Sequence, residues 1–214
     1  MKPLLLVLSS PSGGGKTTIA KRLLQTRDDL GYSVSATTRG MRPEESDGVD
    51  YHFLPRKEFL RRQQAGEFLE WATYGGELYG TLKSEINRIL SSGRHAVLDV
   101  EIEGARQIRA GFPSSLHLFV IPPSAGALIG RLTGRNTEPP ELIRERITRA
   151  ADELAAVSEY DYAILNQDVT LAVAQVAAIL DAEAWRVSRQ DSLHEFIDRL
   201  RHDVIAAASS IPVE

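Results

Sequence analysis

An apolar run at residues 3–8 is followed at once by the segment SSPSGGGKTT, residues 9–18, and then by an amphipathic stretch at residues 16–27. A short continuous apolar run is typical of a strand buried on both faces, and the later spacing is that of a helix. The glycine cluster therefore lies where a strand turns into a helix. Such a loop can wrap its backbone N–H groups around a phosphate at a helix N-terminus, although a flexible turn is the alternative interpretation.

The segment matches most of the pattern G-x-x-x-x-G-K-[ST], through Gly15, Lys16 and Thr17. In such loops the lysine reaches the outer phosphates and the hydroxyl group binds Mg²⁺. Ser10 replaces the first glycine, and its backbone would be strained if that position needed a positive φ. We interpret the segment as a loop that binds a phosphate chain through consecutive residues. The predicted contacts are Ser12, Gly13, Gly14, Gly15, Lys16, Thr17 and Thr18.

Later apolar runs predict three further buried strands, at residues 95–100, 116–121 and 162–166. Helical patterns separate them, at residues 82–92, 104–110, 124–134, 139–157 and 169–187. Strands that alternate with helices of this length indicate a mostly parallel sheet flanked by helices. The predicted fold class is therefore α/β with a P-loop NTPase core.

Asp99 is the next-to-last residue of the strand predicted at residues 95–100. It lies at the usual distance along the chain for a carboxylate on the magnesium side of a phosphate-binding loop. We therefore predict that Thr17 and Asp99 form the metal site. Capping of the next helix is a second role open to Asp99.

Two regions interrupt the alternation of strands and helices. Residues 34–81 contain one predicted helix, at residues 56–65, and are interpreted as an insertion. Residues 130–147 place several arginines around a Gly-Arg-Asn turn and a Pro-Pro helix start, which we interpret as a mobile flap. The predicted boundaries are a core of residues 1–33 and 82–208, a helical lid at about 130–150 within it, the insertion at 34–81 and a ragged C-terminal end at 209–214.

The composition restricts the class of protein. The chain of 214 residues is 43% apolar, enough for a sizeable core, and no apolar run reaches the roughly 18–20 residues of a membrane helix. The N-terminal run is too short for a secretion signal, and the lack of cysteine fits a reducing compartment. A net charge of −4 argues against nucleic-acid binding. We expect a cytoplasmic protein that binds neither nucleic acid nor membranes.

Two segments in and around the insertion carry a specific resemblance to a known family. Residues 31–53 read GYSVSATTRGMRPEESDGVDYHF, and residues 67–81 read EFLEWATYGGELYGT. Both resemble guanylate kinases, and the similarity extends over residues 3–185. The resemblance implies Mg²⁺-dependent transfer of the γ-phosphoryl group of ATP to GMP, and to dGMP, within purine nucleotide metabolism. The insertion would then be the GMP-binding subdomain of a nucleoside monophosphate kinase.

The acceptor of such a reaction carries a phosphate that must be held against an anionic donor, so cations and hydroxyl donors have to offset the repulsion. Arg39 and Arg42 offer two guanidinium forks, and Tyr51 and Tyr79 offer two hydroxyl groups. The resemblance assigns all four to the phosphate of GMP. A solvated arginine pair and aromatic packing are the alternatives.

Guanine presents adjacent N1–H and N2–H₂ donors, which one ionised carboxylate can accept together. Glu70 is the candidate for this contact, with an exposed place at a strand edge as its alternative. The resemblance adds Ser35, Thr81 and a carboxylate at Glu101. From position 101 the chain reads Glu-Ile-Glu-Gly, where the family commonly has Asp, a larger apolar residue, Gln and Gly. We keep Glu101 as a base contact and leave the role of Glu103 open.

Charge spreads over the transferred phosphoryl group in the transition state, so cations placed around it accelerate the transfer. The resemblance assigns flap arginines to this role, in addition to the loop lysine and one arginine of the insertion. The predicted catalytic residues are Lys16, Arg39, Arg131, Arg135 and Arg146. No side-chain nucleophile is needed, because the attacking atom is a phosphate oxygen of the acceptor.

Asn166 follows the last predicted core strand and matches a family residue near the donor adenine, although a turn-forming role is also open. Arg144 and Arg149 have no counterpart in the family pattern, so we expect both to be solvated. A homo-oligomer is compatible with the sequence.

Two other functions are alternatives. Ribose bisphosphate phosphokinases resemble the loop and the lid, but they lack the arginine-tyrosine and Glu-Trp signatures. Non-catalytic guanylate-kinase-like binding modules typically lose residues of the phosphate loop, whereas Lys16 and Thr17 are present here.

Overall fold

The computed structural model describes residues 2–134, 140–190 and 192–209. Its strands are β1 Leu5–Ser9, β2 Leu30–Tyr32, β3 Ala36–Thr37, β4 His52–Phe53, β5 Phe68–Tyr74, β6 Glu77–Leu82, β7 His95–Asp99, β8 Leu116–Ile121 and β9 Tyr162–Leu165. Its α-helices are α1 Lys16–Thr26, α2 Arg56–Gln64, α3 Lys83–Ser91, α4 Ile102–Gly111, α5 Ala125–Thr133, α6 Pro140–Ala155, α7 Val169–Ala184 and α8 Leu193–Ser209. Short 3-10 helices lie at Ala156–Glu159 and Val187–Arg189.

Five strands form a parallel sheet in the order β2-β7-β1-β8-β9. β1 is central, with Val7 opposite Leu98 on one side and opposite His117 on the other. Because all these strands run in the same direction, the loops after β1, β7 and β9 leave the sheet at one edge. The segment between β1 and α1, residues 10–15, is called the phosphate loop after its predicted role. The phosphate loop, Asp99 and Asn166 are thereby brought to the same end of the sheet.

The four predicted core strands agree with β1, β7, β8 and β9, and the predicted α/β class with a helix-flanked parallel sheet is confirmed. The sequence does not predict β2, because three residues are too few for a periodic pattern to be visible. β2 joins the sheet by pairing with β7, where Gly31 lies opposite Ala96.

The apolar residues of β1 form the centre of the core. Leu5, Leu6, Val7 and Leu8 are fully buried, as expected for a central strand of a helix-covered parallel sheet. One cluster joins β1 and β7 to α3 and α4. Its buried members are Leu5, Val7, Ile86, Ile89, Ala96, Leu98, Val100, Ala105 and Ile108. This packing holds α4, which follows Asp99, against the sheet.

A smaller sheet lies within residues 36–82, in the order β4-β3-β6-β5. β5 and β6 form an antiparallel hairpin that turns at Gly75 and Gly76, both with a positive φ that glycine adopts without strain. The rings of Phe59 in α2 and Phe68 in β5 stack with centroids 4.3 Å apart. The hairpin register places Glu70 opposite Thr81.

The chain divides into two compact units. Residues 3–176 form one and contain both sheets; Lys2 and the described part of residues 177–214 belong to the other. In the second unit, the apolar side chains of Phe196 and Leu200 in α8 are exposed. Of the predicted ragged end at 209–214, all but Ser209 lies outside the described residues. None of the described helices has both the length and the apolar character needed to cross a membrane.

Candidate active site

Gly13 and Gly15 shape the phosphate loop, with φ values of 79° and 98°. Gly15 is also the N-cap of α1, and a β-carbon at this position would lie 2.4 Å from Nδ2 of Asn166. Both the backbone and the lack of space therefore require glycine at position 15. The loop leads directly into the N-terminus of α1, where backbone N–H groups have no partner within the helix and can bind an anion.

Ser10 causes no backbone strain, because no residue other than glycine has a positive φ in the described part of the chain. Its hydroxyl group is buried and donates a hydrogen bond of 2.9 Å to the carbonyl of Pro11. A β-carbon on Gly14 would lie 2.6 Å from Cβ of Ser10. The missing first glycine of the pattern is thus accommodated by glycine at position 14.

Asn166 and Arg131 contact the phosphate loop from two different elements. Nδ2 of Asn166 donates to the carbonyl of Gly14 at 3.1 Å, and Nη1 of Arg131 lies 3.3 Å from the carbonyls of Gly13 and Gly14. These contacts engage carbonyl oxygens and none of the loop N–H groups, which are the groups that a phosphate needs. A cavity of about 470 Å³ opens here. Its lining includes Ser10, Gly13, Gly14, Gly15, Lys16, Thr17, Thr18, Arg131 and Asn166.

Lys16 lies between two carboxylates. Its Nζ is 2.7 Å from Oε1 of Glu101 and 3.4 Å from Oδ1 of Asp99. Burial by itself would lower the pKa of Lys16, but the two carboxylates together raise it above its usual value, so the ammonium group stays charged. Thr17 donates a hydrogen bond of 2.5 Å from Oγ1 to Oδ2 of Asp99. The predicted metal residues, Thr17 and Asp99, are therefore in direct contact.

Oxygen donors of this kind suit Mg²⁺, which usually binds one or two protein groups and completes its shell with water and substrate phosphates. The described residues contain no cluster of three or more histidine, cysteine or acidic ligands that could hold a metal by themselves. The pair of Thr17 and Asp99 fits a cation that arrives together with a phosphate chain.

Glu70 is buried, in contrast to the exposed strand-edge position that was its alternative. Oγ1 of Thr81 donates a hydrogen bond of 2.6 Å to Oε1 of Glu70 across the β5–β6 pair. Burial raises the pKa of Glu70, and the hydrogen bonds from Thr81 oppose that shift only in part. A partly desolvated carboxylate gains more from an additional N–H donor than an exposed carboxylate does.

Glu70 faces a cavity of about 420 Å³ between the small sheet and the start of α4. Predicted acceptor-site residues from four separate stretches of the chain share this lining. They are Ser35, Tyr51, Glu70, Tyr79 and Glu101. Asp99 lines the same cavity and lies 3.4 Å from Nζ of Lys16, so the cavity adjoins the start of α1.

Arg39 lies over the aromatic rings of the small sheet, with Cζ 5.5 Å from the ring centroid of Tyr51. Its Nη2 donates to Oε1 of Glu45 at 2.7 Å, and the other oxygen of Glu45 accepts from the backbone N–H of Arg42 at 2.9 Å. The two predicted phosphate-binding arginines are thus connected through one carboxylate, and Arg42 is exposed. Burial raises the pKa of Tyr51, so this phenol keeps its proton and can donate to an anion.

Helix α4 holds the free edge of β5. The side-chain amide of Gln107 accepts from the backbone N–H of Trp71 at 3.1 Å and donates to the carbonyl of the same residue at 2.9 Å. One turn earlier, Gly104 packs against the carboxylate of Glu70. These contacts fix the strand that carries Glu70 to the helix that follows Asp99.

Helix α6 reaches both sides of the site. Oε2 of Glu153 accepts a hydrogen bond of 2.9 Å from the backbone N–H of Ser12, and Oε1 accepts from Arg149 at 2.8 Å. The guanidinium of Arg149 lies 5.3 Å from the ring centroid of Tyr74 in β5. Arg149 is 53% exposed, so the expectation of a solvated residue holds only for part of its surface.

The predicted flap residues fall on different elements. Arg131 lies in the last turn of α5, Arg146 is partly buried in α6, and Arg144 is exposed on the same helix. Arg135 lies outside the described residues, so its predicted catalytic role stays a prediction.

Three residues of the site have no sequence signal strong enough to predict them. Glu45 lies three positions after Arg42, a spacing that many surface carboxylates share. Gln107 and Glu153 are ordinary polar positions of helical patterns. Their partners are 36 and 141 positions away along the chain, so only the tertiary fold reveals these contacts.

Comparison with known proteins connects this geometry to one family. The family model described as guanylate kinase matches residues 2–183. A guanylate kinase of Desulfitobacterium hafniense is 44% identical over 187 residues, covering 87% of this chain and 94% of the relative. One from Maricaulis maris is 43% identical over 197 residues, covering 92% and 90%.

A solved structure extends the match to the whole fold. The crystal structure of guanylate kinase from Anaplasma phagocytophilum superposes with a TM-score of 0.75 at 31% identity, covering 99% of this chain and 97% of that chain. The identity and the coverage both exceed what a shared fold alone would require. The chain belongs to the guanylate kinase family.

Proposed function

We propose that this protein transfers the γ-phosphoryl group of ATP to GMP, and to dGMP, and releases ADP and GDP or dGDP. The observation that carries the proposal is the buried carboxylate of Glu70, held by Thr81 in a cavity that adjoins the phosphate loop. Family membership supports the same reaction. We also propose a place in purine nucleotide metabolism in the cytoplasm.

The base would be recognised by charge and donor pattern. Glu70 would accept the N1–H and N2–H₂ groups of guanine, whereas adenine would turn its N1 acceptor toward the carboxylate and leave both groups unpaired. Ser35, Thr81 and Glu101 would complete the polar edge of this pocket. A buried acceptor left unpaired is costly, so the wrong base is rejected more strongly than the right one is attracted.

The phosphate of GMP would bind near the cations and phenols of the small sheet. Arg39 and Arg42 supply guanidinium groups, and Tyr51 and Tyr79 lie with ring centroids 6.0 Å apart beside Arg39. The charge of Arg39 is balanced by Glu45. The phosphate dianion of GMP would compete with the carboxylate of Glu45 for the guanidinium group of Arg39.

The donor phosphates would lie on the N–H groups of the loop and the N-terminus of α1, with Lys16 at the outer phosphates. Thr17, and Asp99 through water, would hold Mg²⁺, which neutralises charge on the donor phosphate oxygens when bound. Oδ1 of Asn166 is buried and has no hydrogen-bond partner among the described residues, so it can accept from the amino group of the donor base.

Transfer would be direct and in line, since an oxygen of the GMP phosphate is already ionised near neutral pH. The residues of this chain would position the two nucleotides and surround the transferred group with cations from Lys16, Arg131, Arg135 and Arg146. Closure of the lid would exclude water, which otherwise competes as the acceptor.

The test is a coupled assay of ADP release with ATP and Mg²⁺ against GMP, dGMP, AMP, CMP, UMP and ribose bisphosphate. We expect turnover with the two guanine nucleotides alone. Equal turnover of AMP or UMP would contradict the role of Glu70, and turnover of ribose bisphosphate would favour the sugar phosphokinase alternative. Lys16→Ala should abolish transfer, whereas Lys21→Ala, on the exposed side of the same helix, should not. A failure of the wild-type protein to bind ATP and Mg²⁺ in calorimetry would favour a non-catalytic binding module.

A further inference from the structure

Lys16 has two carboxylate partners that differ in how firmly they are held. Asp99 has a side chain only 7% exposed and also accepts the hydrogen bond of Thr17. Glu101 has a side chain 44% exposed and makes the shorter contact, 2.7 Å to Nζ. Of the two, Glu101 is the partner that can leave without exposing a buried group.

Glu101 also belongs to the acceptor side of the site. It is the N-cap of α4, but its side chain makes no capping hydrogen bond, so the carboxylate is available to other partners. It lines the same cavity as Glu70 and Ser35, while Lys16 lines the cavity of the phosphate loop. One glutamate thus joins the donor lysine to the acceptor pocket.

The charges make this contact incompatible with a bound donor. Triphosphate oxygens that approach Lys16 compete directly with the carboxylate of Glu101, and two anions close to each other repel strongly where water is partly excluded. Asp99 is held by Thr17, so Glu101 is the carboxylate that is displaced. A displaced Glu101 has lost its cation, and the N–H donors of a guanine base in the adjoining cavity are new partners for it.

We propose that Glu101 couples the two nucleotide sites by exchanging Lys16 for the guanine base, so that each nucleotide strengthens the binding of the other. This inference rests on the proposed function, because it assumes that GMP and ATP are the ligands. Breaking the pair of Lys16 and Glu101 costs free energy once, and the first nucleotide to bind bears that cost. When the second nucleotide binds, the group that it contacts, Lys16 for ATP or Glu101 for GMP, has already been released from the ion pair.

Thermodynamic linkage requires the effect to be reciprocal, since the factor by which ATP tightens GMP equals the factor by which GMP tightens ATP. Coupling between sites typically amounts to about 5-fold to about 150-fold in affinity. Closure of the lid can add coupling of its own, and direct repulsion between the nucleotides subtracts from it. Only the part that depends on Glu101 reports on the exchange.

The experiment is calorimetric titration of GMP into the full chain, with and without saturating β,γ-methylene ATP and Mg²⁺. The coupling factor is the ratio of the two dissociation constants, and the reverse titration must return the same ratio. In Glu101→Gln, which removes the charge and keeps the size, we expect the factor to fall at least about 5-fold below the wild-type value. Glu101→Asp keeps the charge but has a shorter side chain, and we expect it to lose coupling as well.

Glu103→Gln is the matched control. Glu103 lies in the first turn of the same helix, is 65% exposed and pairs with Arg106 rather than with Lys16. Its coupling factor should equal that of the wild type. Retention of the wild-type factor in folded Glu101→Gln and Glu101→Asp, or an equal loss in Glu103→Gln, would overturn the inference. A wild-type protein that binds no GMP would instead overturn the proposed function.

Discussion

Gly104 and Glu70 lie so close together that a β-carbon on the glycine would be 2.7 Å from Oε2 of the glutamate and 3.2 Å from its Cδ. Glu70 comes from the edge strand of the small sheet, and Gly104 comes from the helix that follows Asp99. The carboxylate that we assign to the base is therefore held between Thr81 and a helix backbone. Its orientation depends on the absence of a side chain at position 104.

Gly104→Ala should move the carboxylate without unfolding the protein, since the closest atoms belong to the end of a side chain. We expect the KM for GMP to rise about 10-fold to 100-fold, the scale of a misplaced binding group, with little change in the KM for ATP. Gly111→Ala in the same helix is the control, because its β-carbon would meet only Leu69, at 3.8 Å. Equal KM values for GMP in wild type and Gly104→Ala would show that Glu70 does not bind the base.

Glu70→Gln should weaken the choice of base and stabilise the fold. The isosteric amide loses the charge that accepts two N–H donors, so we expect a loss of about 1–3 kcal/mol in discrimination against AMP. It also removes a buried ionised group, which should increase the free energy of unfolding. Each increase of about 1 kcal/mol raises Tm by about 2–4 °C in a chain of this length. Thermal unfolding at neutral pH checks the second effect. Glu67→Gln, at a carboxylate beside β5 whose side chain is 40% exposed, should leave both the base preference and Tm unchanged.

The preference for GMP should weaken on acidification. Burial raises the pKa of Glu70, so its carboxyl group takes up a proton at a higher pH than the usual value of about 4.3 for glutamate. Because the raised pKa favours the protonated carboxyl group in the folded protein, protonation of Glu70 stabilises the fold. This stabilisation is complete below the pKa that Glu70 has in the unfolded chain, and it is lost as the pH rises through the raised pKa of the folded protein. Guanine binding has the opposite pH dependence. It weakens as the pH falls, because guanine requires the ionised carboxylate of Glu70.

The ratio of the dissociation constants for AMP and GMP is the appropriate measurement, since both ligands carry a phosphate whose second pKa is about 6 and its titration cancels. This ratio should fall as the pH is lowered through the raised pKa of Glu70, and in Glu70→Gln it should be independent of pH. A pH-dependent ratio of the same size in Glu70→Gln would assign the titration to another group.

Two substitutions in the phosphate loop should have opposite outcomes. Ser10→Gly should change the KM for ATP by less than about twofold, because Ser10 has no positive φ to relieve. Gly15→Ala should raise it about 10-fold or more, because φ is 98° and the added methyl group would collide with Asn166. Initial rates at varied ATP concentration check both. A 10-fold lower KM in Ser10→Gly would mean that the natural loop is strained.

The positions of the core elements could be predicted because each depends on a local pattern. Four core strands and their helices follow from apolar runs and helical spacing, and the phosphate loop follows from a motif that spans nine residues from Ser10 to Thr18. The three-residue strand Leu30–Tyr32 is too short to carry a pattern and exists only through its pairing with β7. The sequence likewise indicates Glu70 and Lys16 as candidate residues. It does not show what each of them contacts, because those contacts form only in the folded chain.

Residue types and their spacing along the chain determined the fold class, the family resemblance and the candidate ligand-binding residues, because these depend on local periodicity and short motifs. The tertiary structure alone decided that Glu101 pairs with Lys16, that Gly104 supports Glu70 and that Glu153 binds the backbone of Ser12. Each of these contacts joins residues at least 34 positions apart. Hydrogen bonds and ion pairs act over a few ångströms, so a one-dimensional sequence does not show which distant groups the packed core brings within that range.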